Sequence, residues 1–341
     1  MSVDKLRIEM DAEMGQVIAR GIKHGQEAGM IETTEEWSAL PSLLVNGQKL
    51  VIRGKWLRIA SLKDEEWSGD AIVDPEACIA ELKQCGRKLR ADIFSFIQQV
   101  PQTAPLYPYP AEPASIAVAD LGDYEAWWMS LPHETRKNVR RSQKRGITIE
   151  TRRFDDDLVR GILAIQNEVP IRQGKRYPHY GKTFEQVRRD HGVFLDRSDL
   201  ICAYYQGELV GFLSLVHCGR SGRILQLLSK REHYDKRPAN ALVAKAAELC
   251  AARGIRYLVY GKFHYRKNDF TSLLEFKMRH GFREMLAPQY FIPLTRRGAV
   301  CRMCGWHRGM IGVLPGPVAA SLRKVRKAWY NSRLQSEREK D

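Results

Sequence analysis

The sequence predicts an α/β protein whose mixed, mostly antiparallel sheets are flanked by helices and built from two tandem units. Three observations lead there. "KWLRIASLKDEEW" followed by "DPEACIAELKQCGRKLRADIFSFIQ" reads strand, loop, helix, strand, and "RILQLLSKREHYDKRPANALVAKAAELCAARGIRYLVYG" repeats that order at similar spacing. "PQTAPLYPYPAEPAS", with Pro101, Pro105, Pro108, Pro110 and Pro113, reads as an extended connector between the copies. "DLICAYYQGELVGFLSLVHCGRSGRILQLLS" reads as three antiparallel strands, turned at Gln206-Gly207 and around Gly219 to Gly222.

The elements follow in order. The stretch to Glu36 has a helical pattern, and "LPSLLVNGQKLVIRGKWLRIASL" reads as strands with a hairpin at Asn46-Gly47. Asp74-Pro75 opens a helix, with Asp as cap and Pro in the first turn. "DIFSFIQQV" and "SIAVADL" read as buried strands. Asp123 to Gly146 reads as one helical pattern closed by glycine. "ITIETRRF" is a strand and "DDDLVRGILAIQNEV" a capped helix. The final elements are the strand "IRYLVYGKF", the helix "DFTSLLEFKMRH" and the strand "QYFIPLT". The boundaries expected are 1–114 for the first unit, 115–298 for the second and 299–341 for a basic helical tail.

The 341 residues carry 55 Lys+Arg against 40 Asp+Glu, a formal charge of +15, which favours anionic partners. The N-terminus has no apolar signal-peptide core, and no apolar run approaches the roughly 20 residues needed to span a bilayer. Seven cysteines argue against a secreted disulfide framework and for a reducing cytoplasm.

"ILQLLS", "PANALVAKAAELCAARG", "YLVYGKF" and "SLLEFKMRHGFREM" occur in the order of a GNAT acyltransferase domain, which the segment from Trp127 to Thr295 resembles. "EFKMRHGF" and the basic "LPHETRKNVRRSQKRGI" resemble the FemAB-like branch, peptidyl-aminoacyl transferases of two tandem GNAT folds. The resemblance implies a phosphate-bearing acyl donor, aminoacyl-tRNA or acyl-CoA, an amine acceptor and no metal. One departure bears on the donor. GNATs that use acetyl-CoA cradle its diphosphate on a glycine-rich turn at a helix N-terminus. Here Arg237 and Ala239 replace the glycines around Pro238, a residue without an N–H. The alternatives are a non-catalytic nucleic-acid or anion binder on the same scaffold and an ordinary CoA-dependent N-acetyltransferase.

Candidate residues follow from acyl-transfer chemistry, which needs carbonyl polarisation and proton transfer. By the resemblance, Tyr260, His264 and Lys277 surround the reacting carbonyl, with Ser229, Lys262 and Tyr265 nearby. The plain alternative is that Tyr260 packs in a sheet face and His264 is a solvated loop residue. Arg136, Arg140 and Lys144 share one helical stripe beside Arg141; with Lys236 and Arg237 they are assigned to the donor's phosphates. Arg172, Arg176, His179 and Tyr180 lie in one basic, aromatic loop and are assigned to the acceptor. Cys301, Cys304 and His307 supply three metal-ligand types but no second pair, so no metal is expected. The segment from Pro315 onward has a basic amphipathic pattern, with Val318, Leu322, Val325 and Trp329 on one face. It suits docking on its own domain, a membrane surface or RNA.

Overall fold

A computed structural model describes residues 40–172, 175–264 and 272–308. The expected N-terminal helix, Gln173, Gly174, Tyr265 and the amphipathic pattern beyond residue 308 lie outside them. Residues 40–294 fall in one compact unit, and Thr295 onward belongs to another.

In chain order the first unit holds β1 (Ser42–Val45), β2 (Gln48–Arg53), β3 (Ile59–Leu62), α1 (Glu65–Ser68), α2 (Pro75–Gln84), β4 (Ile93–Ile97) and β5 (Ala111–Asp120). Next come α3 (Tyr124–Ser130), α4 (His133–Lys144), β6 (Ile147–Arg152), α5 (Asp156–Gln166), β7 (Ile171–Arg172), β8 (Lys175–Arg176) and α6 (Phe184–His191). Then follow β9 (Ser198–Tyr205), β10 (Glu208–Cys218), β11 (Ser221–Ser229), a 3-10 turn (Arg231–Lys236), α7 (Pro238–Ala252), β12 (Tyr257–Lys262), α8 (Ser272–Arg279) and β13 (Arg283–Pro293). The other unit contributes α9 (Arg296–Met303) and a 3-10 turn (Trp306–Arg308).

Among the described residues, eleven strands form one sheet in the order β1-β2-β3-β4-β13-β5-β12-β11-β10-β9-β6. The repeat read from the sequence is present. β3 and β4 are parallel and joined through α2, and β11 and β12 are parallel and joined through α7. The pairing of the closing strands was not legible. β5 follows the connector and pairs with β12 of its own copy, whereas β13 reaches back to pair with β4 of the first. The two meet antiparallel in mid-sheet, from Arg283↔Val118 to Tyr290↔Ala111. Their side chains follow: Ala117, Ala119 and Leu121 pack with Leu242, Ala246 and Leu258, whereas Tyr290 and Ile292 pack with Phe94, Phe96 and Leu50. The first copy's core is therefore finished by a strand of the second.

Local chemistry accounts for most elements. Asn46 and Gly47 turn the first hairpin with φ of 49° and 78°, and Gln206 and Gly207 turn another at 50° and 83°. These are the left-handed pairs that a tight type I′ turn needs. Asp74, Asp123, Asp155 and Thr183 cap α2, α3, α5 and α6, each side chain accepting a backbone N–H three residues on.

Three expectations are corrected. The helix expected from Asp123 to Gly146 is two helices, because Pro132 supplies no N–H and holds the chain extended between α3 and α4. The proline connector ends early: β5 already includes Pro113, which lies opposite Pro288, so neither proline needs an N–H from the other. The acceptor loop is not irregular throughout, since β7 and β8 pair within it.

Candidate active site

β11 and β12 pair only from Ser221↔Tyr257 to Arg223↔Val259. Beyond that, Ile224–Ser229 and Tyr260–Lys262 diverge and open a gap in the sheet. Both strands are bulged there. The register of β10 and β11 shifts opposite Ser214/Leu215, and that of β12 and β5 shifts between Val259 and Lys262. A bulge frees backbone groups from the ladder and re-aims them, so the gap offers polar backbone to a substrate.

α8 delivers Lys277 to the gap. Lys277 is fully buried. Its Nζ donates to the Lys262 carbonyl at 2.6 Å and lies 4.6 Å from the centre of the Tyr260 ring. Burial pushes its pKa down to about 7. Tyr260 also packs on Phe282, ring centres 5.9 Å apart. Tyr260 and Lys277 thus lie side by side. His264, two residues past β12, is turned elsewhere: its N–H donates to Ser115 Oγ at 3.3 Å and its exposed ring lies 3.8 Å from Glu284.

The glycine of "EFKMRHGF" has a structural reason. Gly281 ends α8 with φ of +77°, and a Cβ there would meet Trp127 Nε1 at 2.7 Å and Leu131 Cδ2 at 3.0 Å. Gly281→Ala is expected to cost about 2–4 kcal/mol, from left-handed strain plus overpacking, read as a lower urea midpoint. An unchanged midpoint would show that α3 gives way.

The turn before α7 departs from ordinary backbone. Arg237 takes φ 61° and ψ 40°, the left-handed conformation that glycine adopts most readily, and Pro238 opens the helix. A backbone cradle here would lack the N–H of Pro238 and would carry a side chain at Arg237 where a glycine would leave room. Beside it lies a cleft of about 470 Å³ lined by Asn138, Arg237, Asn240, Glu275, Phe276 and Arg279. His280 forms part of its wall; burial lowers its pKa to about 4, and its Nδ1 and Nε2 lie 2.7 Å from the Phe276 carbonyl and 3.1 Å from Asn240 Nδ2.

Of the cations assigned to the donor's phosphates, Arg237 lines this cleft, and Arg136, Arg140, Arg141 and Lys144 lie on α4, which packs along α7. Arg140 and Lys144 are exposed and make no ion pair among the described residues, as does Arg237. Arg141 reaches Asn138 at 3.1 Å and Glu134 at 3.5 Å, and Arg136 rests on Met129 Sδ at 3.1 Å. Lys236 lies 4.6 Å from the Tyr205 ring centre. Arg145, which closes α4, bonds to the Asp235 carbonyl and fixes the helix against the turn.

The acceptor loop reaches the gap through Arg172. Its guanidinium donates to the carbonyls of Ser229 (3.1 Å) and Ile165 (2.8 Å) and to Glu168 (3.1 Å), and stacks 4.9 Å from the Tyr177 ring centre. Arg172 therefore ties the loop to the end of β11 rather than presenting a free charge. His179 is buried, with Nδ1 at 3.0 Å from Lys182, while Tyr180 is exposed. For Arg176 the structure fixes only the backbone, in β8.

Arg223 and Gln226 escaped the sequence reading, whereas Ser229 was among its candidates. Arg223, Gln226 and Ser229 are buried along β11, and among the described residues Arg223 Nε, Gln226 Oε1 and Ser229 Oγ have no hydrogen-bond partner. The signal was present, since charged and amide residues interrupt the apolar "RILQLL". In the first copy the matching gap is filled. β3 and β4 pair only from Ile59↔Ile93 to Ser61↔Ser95, and beyond them Glu65 accepts the Ile97 N–H at 2.7 Å. Gln99 donates to the Glu65 carbonyl at 3.3 Å and accepts from Arg223 at 2.9 Å. Glu65 is half-buried as a residue, but its carboxyl is enclosed, and burial pushes its pKa up to about 8. Among the described residues no group of three or more His, Cys, Asp or Glu is placed to hold a metal.

The acetyltransferase (GNAT) domain family matches residues 133–277, from the start of α4 to Lys277. The match covers less than half of the chain, and that segment is similar to a GNAT acyltransferase domain. No curated protein sequence matches the chain. Among solved structures it is similar to FemX (TM-score 0.58, 12% identity, 83% of this chain and 96% of that one). It is also similar to the C-terminal DUF2156 domain of a putative lysylphosphatidylglycerol synthetase from Agrobacterium fabrum (0.53, 13%, 84% and 95%). L-PGS from Bacillus licheniformis follows (0.50, 12%, 80% and 89%). At these identities the likeness is one of fold.

Proposed function

We propose that this chain transfers an acyl or aminoacyl group from a phosphate-bearing carrier to an amine, with aminoacyl-tRNA favoured over acyl-CoA as donor. The observation that carries the reading is the buried Lys277 at the β11/β12 gap, beside a turn whose Arg237 and Pro238 obstruct a backbone diphosphate cradle. The donor's phosphates lie along Arg140, Lys144 and Arg237, with Arg136, Arg141 and Lys236 around them. Its carbonyl enters the gap. The acceptor amine approaches from the loop that Arg172 anchors, with His179 and Tyr180 in its wall.

The chemistry balances without a cofactor. The amine lone pair forms the new C–N bond, and the carbonyl π pair moves to oxygen. The Lys277 ammonium, already aimed at a carbonyl oxygen, stabilises that negative charge in a dry site. Collapse breaks the C–O bond to the carrier, and the proton lost by the amine goes to the departing oxygen, with Tyr260 as the phenol in place to relay it. The Glu65-filled gap leaves the second copy to carry the reaction.

The test is incubation with charged tRNA or acetyl-CoA and mixed amines, read by mass spectrometry. A product from charged tRNA, lost in Arg140→Glu/Lys144→Glu, supports the reading. A product from acetyl-CoA alone, with thermal stabilisation by CoA, replaces it with the N-acetyltransferase. Salt-sensitive RNA binding with no covalent product replaces it with the binding protein.

A further inference from the structure

α9 is amphipathic the wrong way round for an ordinary surface helix. Its Gly298 and Cys301 are buried, while Val300 is 54% exposed and Met303 81%, with Trp306 just beyond at 40%. Arg296, Val300 and Met303 lie four and three residues apart, so they share one outward stripe. Guanidinium groups frame the apolar residues: Arg296, Arg297 and Arg308 are exposed and Arg302 is half-buried. The sequence extends the same chemistry. From Thr295 to Ser336 there are nine Arg or Lys and not one Asp or Glu.

We propose that the segment beginning at Thr295 docks on an anionic lipid bilayer, Val300, Met303 and Trp306 entering the headgroup–acyl boundary and the arginines meeting lipid phosphates. Charge complementarity selects this occupant. A bilayer surface supplies an apolar layer directly beneath a sheet of negative charge, which matches an apolar stripe framed by cations. RNA would use the arginines and the tryptophan but gains nothing from an outward Val and Met. An acid-free segment also offers no counter-charge to a second copy of itself. The inference is independent of the transferase reading, because it concerns binding alone.

The test is sedimentation of the full chain with phosphatidylcholine vesicles, with and without about a third phosphatidylglycerol. Binding is expected to be at least about tenfold tighter to the anionic vesicles and to weaken with salt. Val300→Ser/Met303→Ser is expected to weaken it about tenfold with an unchanged melting temperature, since both side chains are exposed. Arg296→Gln/Arg297→Gln should weaken it similarly, and Lys277→Met should leave it unchanged. Absence of binding overturns the proposal. So does binding that the Val300/Met303 pair leaves untouched while salt abolishes it, because that describes a plain polyanion contact.

Discussion

Lys277→Met is expected to lower turnover about 10²–10³-fold and at the same time raise stability. The first effect is the loss of one preorganised positive group at the developing oxyanion. The second follows from linkage. The folded-state pKa lies near 7, against the ordinary lysine value of 10.5. Between these values the unfolded chain binds the proton that the folded chain gives up, so wild-type stability rises as pH climbs from about 7 towards 10.5. Below pH 7 the buried ammonium costs its full amount. The bond to the Lys262 carbonyl and the Tyr260 ring return part of it, leaving a gain for methionine of about 2–3 kcal/mol. Urea unfolding at pH 6, 8 and 10 should show the two curves converging as pH rises. Activity carries its own signature. The ammonium is lost as pH rises through about 7, so the descending limb of kcat sits there in the wild type. Lys277→Arg, which stays charged, should move that limb to higher pH. Full turnover in the methionine variant would remove Lys277 from the reaction.

Glu65→Gln is expected to stabilise the protein and flatten its stability profile on the alkaline side. The carboxyl titrates near 8 when folded, against an ordinary value of 4.5. The folded chain therefore holds a proton that the unfolded chain has lost, and stability falls as pH rises from about 4.5 through 8. A glutamine oxygen still accepts the Ile97 N–H and carries no charge. With partial solvent access to the residue discounted, the gain at pH 8 should be about 2 kcal/mol, and near pH 5 the two proteins should unfold together. Glu65→Ala should behave differently, leaving the Ile97 N–H unmet at a cost of about 1–3 kcal/mol at every pH. A parallel shift for glutamine across the whole pH range would contradict a buried neutral acid.

Much of the fold was legible because it is written in local signals. Asn46-Gly47, Gln206-Gly207 and Asp74-Pro75 fix turns and a helix start within a few residues. Strand–helix–strand order survives as a pattern because each copy needs the same alternation of apolar and polar positions. The destination of β5 and β13 was not legible, since Val118 and Arg283 meet across 164 intervening positions and nothing local marks their pairing. In the site, "EFKMRHGF" led to Lys277 by resemblance, but its burial depends on Lys262 and Tyr260 arriving from another strand. Arg172 was read as a free charge because composition shows a guanidinium and not the three acceptors that occupy it. Glu65 and Arg223 were missed for the complementary reason: each looks like an ordinary surface charge until Gln99, far away in sequence, connects them.

A break within the proline-rich connector would divide the molecule unevenly. The C-terminal piece would keep β5, and with it every residue of the core around Leu242 and Leu258. The N-terminal piece would lose Tyr290 and Ile292 of β13 and leave Phe94 and Phe96 uncovered. The first copy is therefore the client of the second: expressed by itself it should aggregate, while the C-terminal piece keeps its own apolar centre.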